Sequence, residues 1–349
     1  MRVLVTGHLG YIGTVLIPML LAEGFDVTGL DSDLYRLCTF TGGISEIANI
    51  NKDIRDVTID DVTRFDAVCH LAGLSNDPLG NLNPQLTYEI NHHASVRLAQ
   101  LCRKAGVQRF VFSSSCSNYG AGGENMLSEL SDFKPVTPYA VSKVLVERDV
   151  SAMADESFSP VFLRNATAYG VSPRLRFDLV LNNLVAWAFT TGKIMLKSDG
   201  TPWRPIVHVE DISRAFITVL KAPRGLIHNE AFNVGITSEN HQIRRLAEIV
   251  GKTVPNCRVT FAKDASPDKR CYRVNCDKLP QTLKSFKPQW NAQRGAVQLY
   301  KSYKKEGLSL EEFEGPRFQR IAHIRYLLAK GIIDENFRFQ KQIPLQATG

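Results

Sequence analysis

The sequence predicts an α/β fold: a doubly wound parallel sheet with a smaller, interleaved C-terminal lobe. Three observations predict it. The first 31 residues run strand, glycine turn, helix, strand. Short apolar runs that end in small or polar residues then alternate with helix-length stretches. From about Tyr169 onward the alternation weakens, which marks the second lobe.

In the first unit, Arg2-Val3-Leu4-Val5-Thr6 is the strand and Gly7-His8-Leu9-Gly10-Tyr11-Ile12-Gly13 is the turn. Gly7 turns the strand sharply, Gly10 lets backbone N–H groups approach a pyrophosphate, and Gly13 lets the helix pack close to the sheet. Tyr11 and Ile12 ride on that turn, at a helix N-terminus whose positive potential suits phosphates. Pro18 falls inside the predicted helix and should remove a hydrogen bond or kink it. Asp31 closes the second strand, 18 residues after Gly13. A carboxylate there accepts both hydroxyls of an adenosine ribose and repels a 2′-phosphate, so the layout predicts NAD over NADP.

Further on, residues 67–73, 109–115 and 160–165 read as strands buried on both faces. Glu89–Ala105 and Tyr139–Ala154 read as the helices between them. The later part predicts helices over Phe177–Thr191, Glu210–Leu220 and Asn240–Val250, with short strands at Ile194–Lys197 and Pro205–Val209. The tail from Ala292 to Arg338 reads as helices broken at Gly307, Gly315 and Gly331. The expected division is a nucleotide-binding domain over 1–168, with 205–235 returning to it. A substrate-binding lobe with the C-terminal helices takes 169–204 and 236–349.

The 349 residues carry a net charge of +7, which suits an anionic partner. Basic residues are spread along the chain without aromatic–basic alternation, so nucleic acid is not expected. The longest apolar run, about Leu16–Ala22, is too short for a membrane span. Seven dispersed cysteines without a CxxC predict reduced thiols in a cytoplasmic protein, with no disulfide framework and no metal site.

Tyr139-Ala140-Val141-Ser142-Lys143 places a phenol and an ammonium on one helix face. Thr137 is a suitable N-cap and Pro138 a suitable first residue. A neighbouring ammonium and a nicotinamide cation would bring the phenol from near 10 towards about 7. Tyr300/Lys304 and Tyr326/Lys330 share the spacing, but only Tyr139/Lys143 follows a strand ending in Ser113-Ser114-Ser115. His70, His92, His93 and His208 read as structural.

The chain resembles the extended short-chain dehydrogenase/reductases, the NAD-dependent nucleotide-sugar epimerase/dehydratase family, over about residues 1–280. The resemblance is carried by Thr6-Gly7-x-x-Gly10-x-x-Gly13, Asp31, Asp53-Ile54-Arg55-Asp56, His70-Leu71-Ala72-Gly73, Asn91, Ser113-Ser114-Ser115 with Tyr119-Gly120, and Tyr139-x-x-x-Lys143. Residues 203–212 match a later family segment. The resemblance implies a Rossmann-type sheet, a homodimer and a nucleotide-diphosphate sugar as substrate. It implies that Asp53 and Ile54 contact adenine, and that Leu71, Ala72 and Gly73 line the cofactor's phosphate–ribose path. Asn91 would support the active-site helix beside the cofactor, near Ser113. Tyr139 would take the proton of a sugar hydroxyl, Lys143 would hold the nicotinamide ribose, and Ser115 the sugar oxygen. Arg204 and Arg270 fall where the family binds the substrate diphosphate; Arg174, Arg176, Asn182 and Asn183 belong to the same expected pocket. Thr167 stands where many members have Asn.

One departure bears on the reaction. The family's 4,6-dehydratases carry Asp-Glu where this chain has Cys116-Ser117, and a serine cannot serve as their base. The expected activity is therefore an epimerisation, most simply at C4 through a transient 4-keto sugar. The alternatives are a dehydratase or C3/C5-epimerase that uses Cys116 as acid/base, a 4-keto-sugar reductase, and, from another class, a non-catalytic NAD-sensing protein.

Overall fold

The structure, a computed structural model, describes residues 1–120, 125–196, 198–261 and 271–340. The chain begins β1 (Arg2–Thr6), α1 (Gly13–Ala22), β2 (Asp26–Asp31), β3 (Ala48–Asn51), β4 (Ala67–His70) and three helices, α2 (Asp77–Leu82), α3 (Pro84–Thr87) and α4 (Ala94–Lys104). It continues β5 (Arg109–Ser115), β6 (Met126–Leu127), α5 (Pro138–Ser151), β7 (Ser159–Asn165), β8 (Thr167–Tyr169), α6 (Val180–Thr191), β9 (Lys193–Leu196), β10 (Trp203–His208), α7 (Val209–Lys221) and β11 (Glu230–Val234). Then come β12 (Asn240–Gln242), α8 (Ile243–Thr253), β13 (Arg258–Phe261), β14 (Arg273–Val274), α9 (Lys278–Thr282), α10 (Ala292–Glu306), α11 (Leu310–Glu314) and α12 (Arg320–Ala329).

The main sheet has seven parallel strands in the order β11-β7-β5-β4-β1-β2-β3. The connections reverse direction between β1 and β4, so a crevice opens beyond those two strand ends. Both faces are apolar because alternate side chains feed two cores. Val3, Val5, Cys69, Val111 and Val161 pack with Leu16, Leu20 and Phe216 on one side. Leu4, Val68, Phe110, Phe112 and Phe162 pack with Leu98, Val146 and Val150 on the other. A third core joins α6, α8 and α10 through Leu184, Val185, Leu246 and Leu299.

Most expected elements form within a few residues of their expected bounds. Asn240–Val250 is the main correction: residues 240–242 pair antiparallel with 203–205, and helix starts only at Ile243. The helix expected from Glu89 opens with a wider π-type turn over Tyr88–His93. α1 continues through Pro18, whose nitrogen has no hydrogen to donate. Gly307 and Gly331 end their helices in the left-handed region, at φ +68° and +60°.

The tail does more than cap the small lobe. Ile324, Leu327, Ile333 and Phe337 are buried with Ile54, Leu74, Leu79 and Leu86 of the nucleotide half. Arg338 pairs with Asp56 and reaches Asp53 at 3.5 Å, and Arg55 donates to the Asn336 carbonyl at 2.9 Å. The C-terminal segment thus lies across the end of the main sheet.

Beneath α5, Glu147 and Arg164 form a buried ion pair at 2.8 Å, each less than a tenth exposed. Asn118 and Ser114 donate to the same carboxylate, and Arg164 donates to the Tyr119 hydroxyl. Removing one partner leaves an uncompensated buried charge, so Glu147→Leu should cost ~3–5 kcal/mol in denaturant titration. Glu147→Leu/Arg164→Met should lose clearly less. Equal losses would contradict the pairing account.

Candidate active site

At the end of β1 the backbone passes too close to its neighbours for a side chain. Gly7 has φ +73°, and a Cβ on it would lie 2.6 Å from the Ala72 nitrogen. A Cβ on Gly13 would lie 2.4 Å from the His8 carbonyl oxygen. Glycine at both positions brings the N-terminus of α1 to the mouth of the crevice, as the fingerprint requires. There a cleft of about 1000 Å³ is lined by Gly7, Gly10, Tyr11, Ile12, Gly13, Asp31, Asp53, Ile54, Leu71, Ala72 and Gly73. Asp31 ties its rim together, accepting from the Leu9 N–H at 3.0 Å and the Asp33 N–H at 2.8 Å. Those bonds use part of the carboxylate's capacity and leave lone pairs for ribose hydroxyls. A glycine cradle, a helix N-terminus and a carboxylate in one cleft fit NAD. Tyr11 has its hydroxyl turned to the Gly170 carbonyl at 2.8 Å, so only its body faces the cleft.

A second cleft, of about 1720 Å³, adjoins the first; Ile12, Leu71, Gly73 and Arg176 line both. Ser113, Ser115, Tyr139, Lys143, Thr167, Asn183 and Arg204 line the second. Local sequence explains the placement of Tyr139. Thr137 accepts from the Ala140 N–H at 3.2 Å, donates to Asp77 at 2.7 Å, and starts α5 with Pro138 in the first turn. Lys143 then follows one turn later, and its ammonium donates to the Ser113 carbonyl at 2.8 Å.

Within the protein itself, burial dominates the electrostatics of this pair. Burial pushes the Tyr139 phenol up to about 12, against a hydrogen bond with Ser115 that favours ionisation. Burial also lowers Lys143 to about 8, opposed by Glu147 one turn on. The ammonium lies 5.8 Å from the Tyr139 ring centre and is held by the β5 carbonyl.

Four expected site residues lie elsewhere. Cys116 is fully buried, lines neither cleft, and hydrogen-bonds the Arg164 carbonyl at 3.1 Å. Burial raises its thiol far above the usual range, which withdraws it as an acid/base. The physical reason is the end of β5: Ser113, Ser114 and Ser115 line the cleft, and the tight turn that starts at Cys116 sends its side chain into the apolar core with Val111. Asn91 lines neither cleft, but it makes the contact expected of a support for α5, donating to Ser142 at 3.3 Å while accepting from the Leu74 N–H at 2.7 Å. Arg174 pairs with Asp33 at 2.9 Å and with the Tyr35 carbonyl, behind the first cleft. Asn182 is buried, fixing the Gly170 N–H and the Arg176 carbonyl. Arg270 lies outside the described residues.

The histidines match a structural reading in their contacts. His70 is bracketed by Thr6 at 2.6 Å and Ser95 at 2.7 Å, and burial lowers it to about 3. His208 stacks on Trp290 at 3.9 Å. Sequence reasoning missed Asp77, Asp178 and Tyr272 in the second cleft, and Arg320 and Phe337 in the first. Asp77 carried a faint signal, since Asn76-Asp77-Pro78 is a helix start directly after β4. The other four carried none.

A family model described as the NAD dependent epimerase/dehydratase family matches residues 3–235. The chain belongs to that family. Relatives include the UDP-glucose 4-epimerase of Neisseria meningitidis serogroup C, 31% identical over 73% of this chain and 84% of the relative. UDP-glucose 4-epimerase 4 of Oryza sativa subsp. japonica is 30% identical over 72% of this chain and 78% of its own. Among solved structures, MoeE5 in complex with UDP-glucose and NAD superposes with a TM-score of 0.76 at 25% identity, covering 88% of this chain and 100% of that one. The UDP-glucose 4-epimerase of Thermotoga maritima has the same fold, with a TM-score of 0.76 at 21% identity and coverage of 88% and 100%. NAD is the cofactor of the family, and the first cleft is where this member would carry it. Among the described residues no helix is long and apolar enough to cross a membrane.

A lysine whose proton affinity falls on folding destabilises the fold wherever it stays charged. That cost is full below about pH 8 and fades as pH rises towards the unfolded value near 10.5. Lys143→Met should therefore be more stable than wild type by ~1–3 kcal/mol at pH 7, with the gap closing by about pH 10.5. A destabilised or pH-independent variant would contradict it.

Proposed function

We propose that the protein is an NAD-dependent nucleotide-sugar epimerase acting at C4 through a transient 4-keto sugar, with a UDP-hexose as the first substrate class to test. One observation carries the reading. The Tyr139–Ser115 hydroxyl pair with Lys143 opens into a cleft continuous with the dinucleotide cleft, while positions 116 and 117 offer no carboxylate to it.

The glycine turn and the N-terminus of α1 would hold the diphosphate of NAD, Asp31 its adenosine ribose, and Lys143 its nicotinamide ribose. When bound, NAD supplies a hydride acceptor and donor, and its positive ring favours ionisation of a nearby phenol. Tyr139 Oη takes the proton of the 4-hydroxyl as the carbon loses its hydrogen, and returns it when hydrogen is delivered to the other face. No atom is gained or lost, so the reaction is an isomerisation. Ser115 hydrogen-bonds the phenol and is placed to orient the same oxygen. Arg204 lines the second cleft and would set its positive charge beside a substrate diphosphate, while Arg176, also in the lining, is already forked onto Asp178. Ser117 donates to Ser115 at 2.8 Å and has no basicity for removing a carbon-bound proton, so elimination of water lacks its base.

With UDP-glucose and UDP-galactose as substrates, Tyr139→Phe should lower kcat by ~10²–10⁴-fold while leaving NAD bound. Cys116→Ser should stay within about threefold of wild type, since the thiol touches no reacting group. In deuterated water no label should enter carbon positions of the sugar. Label at C3 or C5 that disappears in Cys116→Ser would overturn the reading in favour of chemistry at those carbons.

A further inference from the structure

Arg320 is the first residue of α12, well past the segment that matches the family model. It is only 2% exposed, yet it lines the first cleft together with Gly10–Gly13 and Arg176. Its Nη2 donates to the Arg174 carbonyl at 2.9 Å, and its guanidinium lies 4.1 Å from the Tyr35 ring centre. Its Nη1 is buried without a hydrogen-bond partner. The neighbouring guanidiniums are neutralised: Arg174 by Asp33 at 2.9 Å and Arg176 by Asp178 at 2.5 Å. Arg320 makes no ion pair among the described residues.

A guanidinium does not lose its proton in a protein, so this is a buried charge with an unspent donor. Such a group is costly unless an anion completes it. The cleft it lines is the one whose glycine turn and helix N-terminus suit a diphosphate, and it does not line the substrate cleft. Arg320 is also held firmly. Arg317 donates to the Leu37 and Thr39 carbonyls at 3.0 and 2.7 Å, and Arg338 clamps the other end of the tail to Asp56.

We propose that Arg320 is a ligand of the cofactor's diphosphate, brought by the C-terminal helix to a cleft whose lining, Arg176 and Phe337 apart, comes from the first third of the chain. The tail then has a binding role: it supplies the charge that keeps the dinucleotide in place. This inference rests on the first cleft being the NAD site.

Binding of NAD, ADP and adenosine to nucleotide-free protein tests it, by calorimetry for the first two and ligand-observed NMR for adenosine. Arg320→Gln should weaken NAD and ADP by about 10- to 100-fold and leave adenosine within twofold. Arg320→Lys keeps the charge but not the fork, so its loss for ADP should be smaller yet measurable, at least threefold. This variant decides the matter if the glutamine protein does not fold. Wild-type affinity for ADP in either folded variant, or equal losses for ADP and adenosine, would overturn the proposal. Wild-type protein that binds neither NAD nor ADP would remove the cofactor-site reading itself.

Discussion

Between β1 and α1 the chain packs so closely, Gly7 against the loop after β4 and Gly13 against the turn itself, that neither residue has space for a methyl group. Everything functional in this molecule depends on that crowding. It sets the N-terminus of α1 at the reversal point of the sheet, where the strand ends leave a crevice. Asp31 then fastens the rim by accepting from the loops on either side of it. A side chain at Gly7 or Gly13 would push the helix away and dismantle the phosphate end of the cleft.

The catalytic end is set by a different device, a buried charged network under α5. Glu147 gathers Arg164, Ser114 and Asn118, and so binds α5 to β5, β7 and the turn after β5. Buried pairs of this kind add little net stability, but the directed hydrogen bonds around them favour one geometry. Here the specified geometry puts Lys143 on the β5 carbonyl of Ser113 and Tyr139 beside Ser115. Folding strain is concentrated in the same place: a lysine is buried where a methionine would cost less, as expected where activity and stability compete.

The glycine turn, the strand ends and the Tyr139/Lys143 helix were legible in the sequence because each rests on local chemistry: a turn, an apolar period, an N-cap. What was illegible depends on contacts distant in sequence. Cys116 looked like a cleft residue by adjacency to Ser115, but the turn that begins there takes it into the core, against the Arg164 carbonyl. Arg174 and Arg176 differ by two positions and each has an aspartate partner, Asp33 and Asp178, yet only Arg176 lines the clefts. Asn240–Gln242 has a helical pattern but pairs with Trp203–Pro205, since an open strand edge outweighs a weak propensity. The electrostatics of Tyr139 were legible only in part. Motif spacing conveys the proximity of an ammonium but not the burial that opposes it. The path of the tail across the nucleotide half left no motif at all, as it is carried by apolar packing and two surface arginines.

The central claim is that hydrogen leaves C4 of a nucleotide sugar and returns to the same carbon without meeting solvent. UDP-glucose deuterated at C4 tests it directly, with the product followed by NMR. The account predicts UDP-galactose with the deuterium retained at C4. Product with protium at that carbon, or label retained at C4 with inversion at another centre, would contradict it.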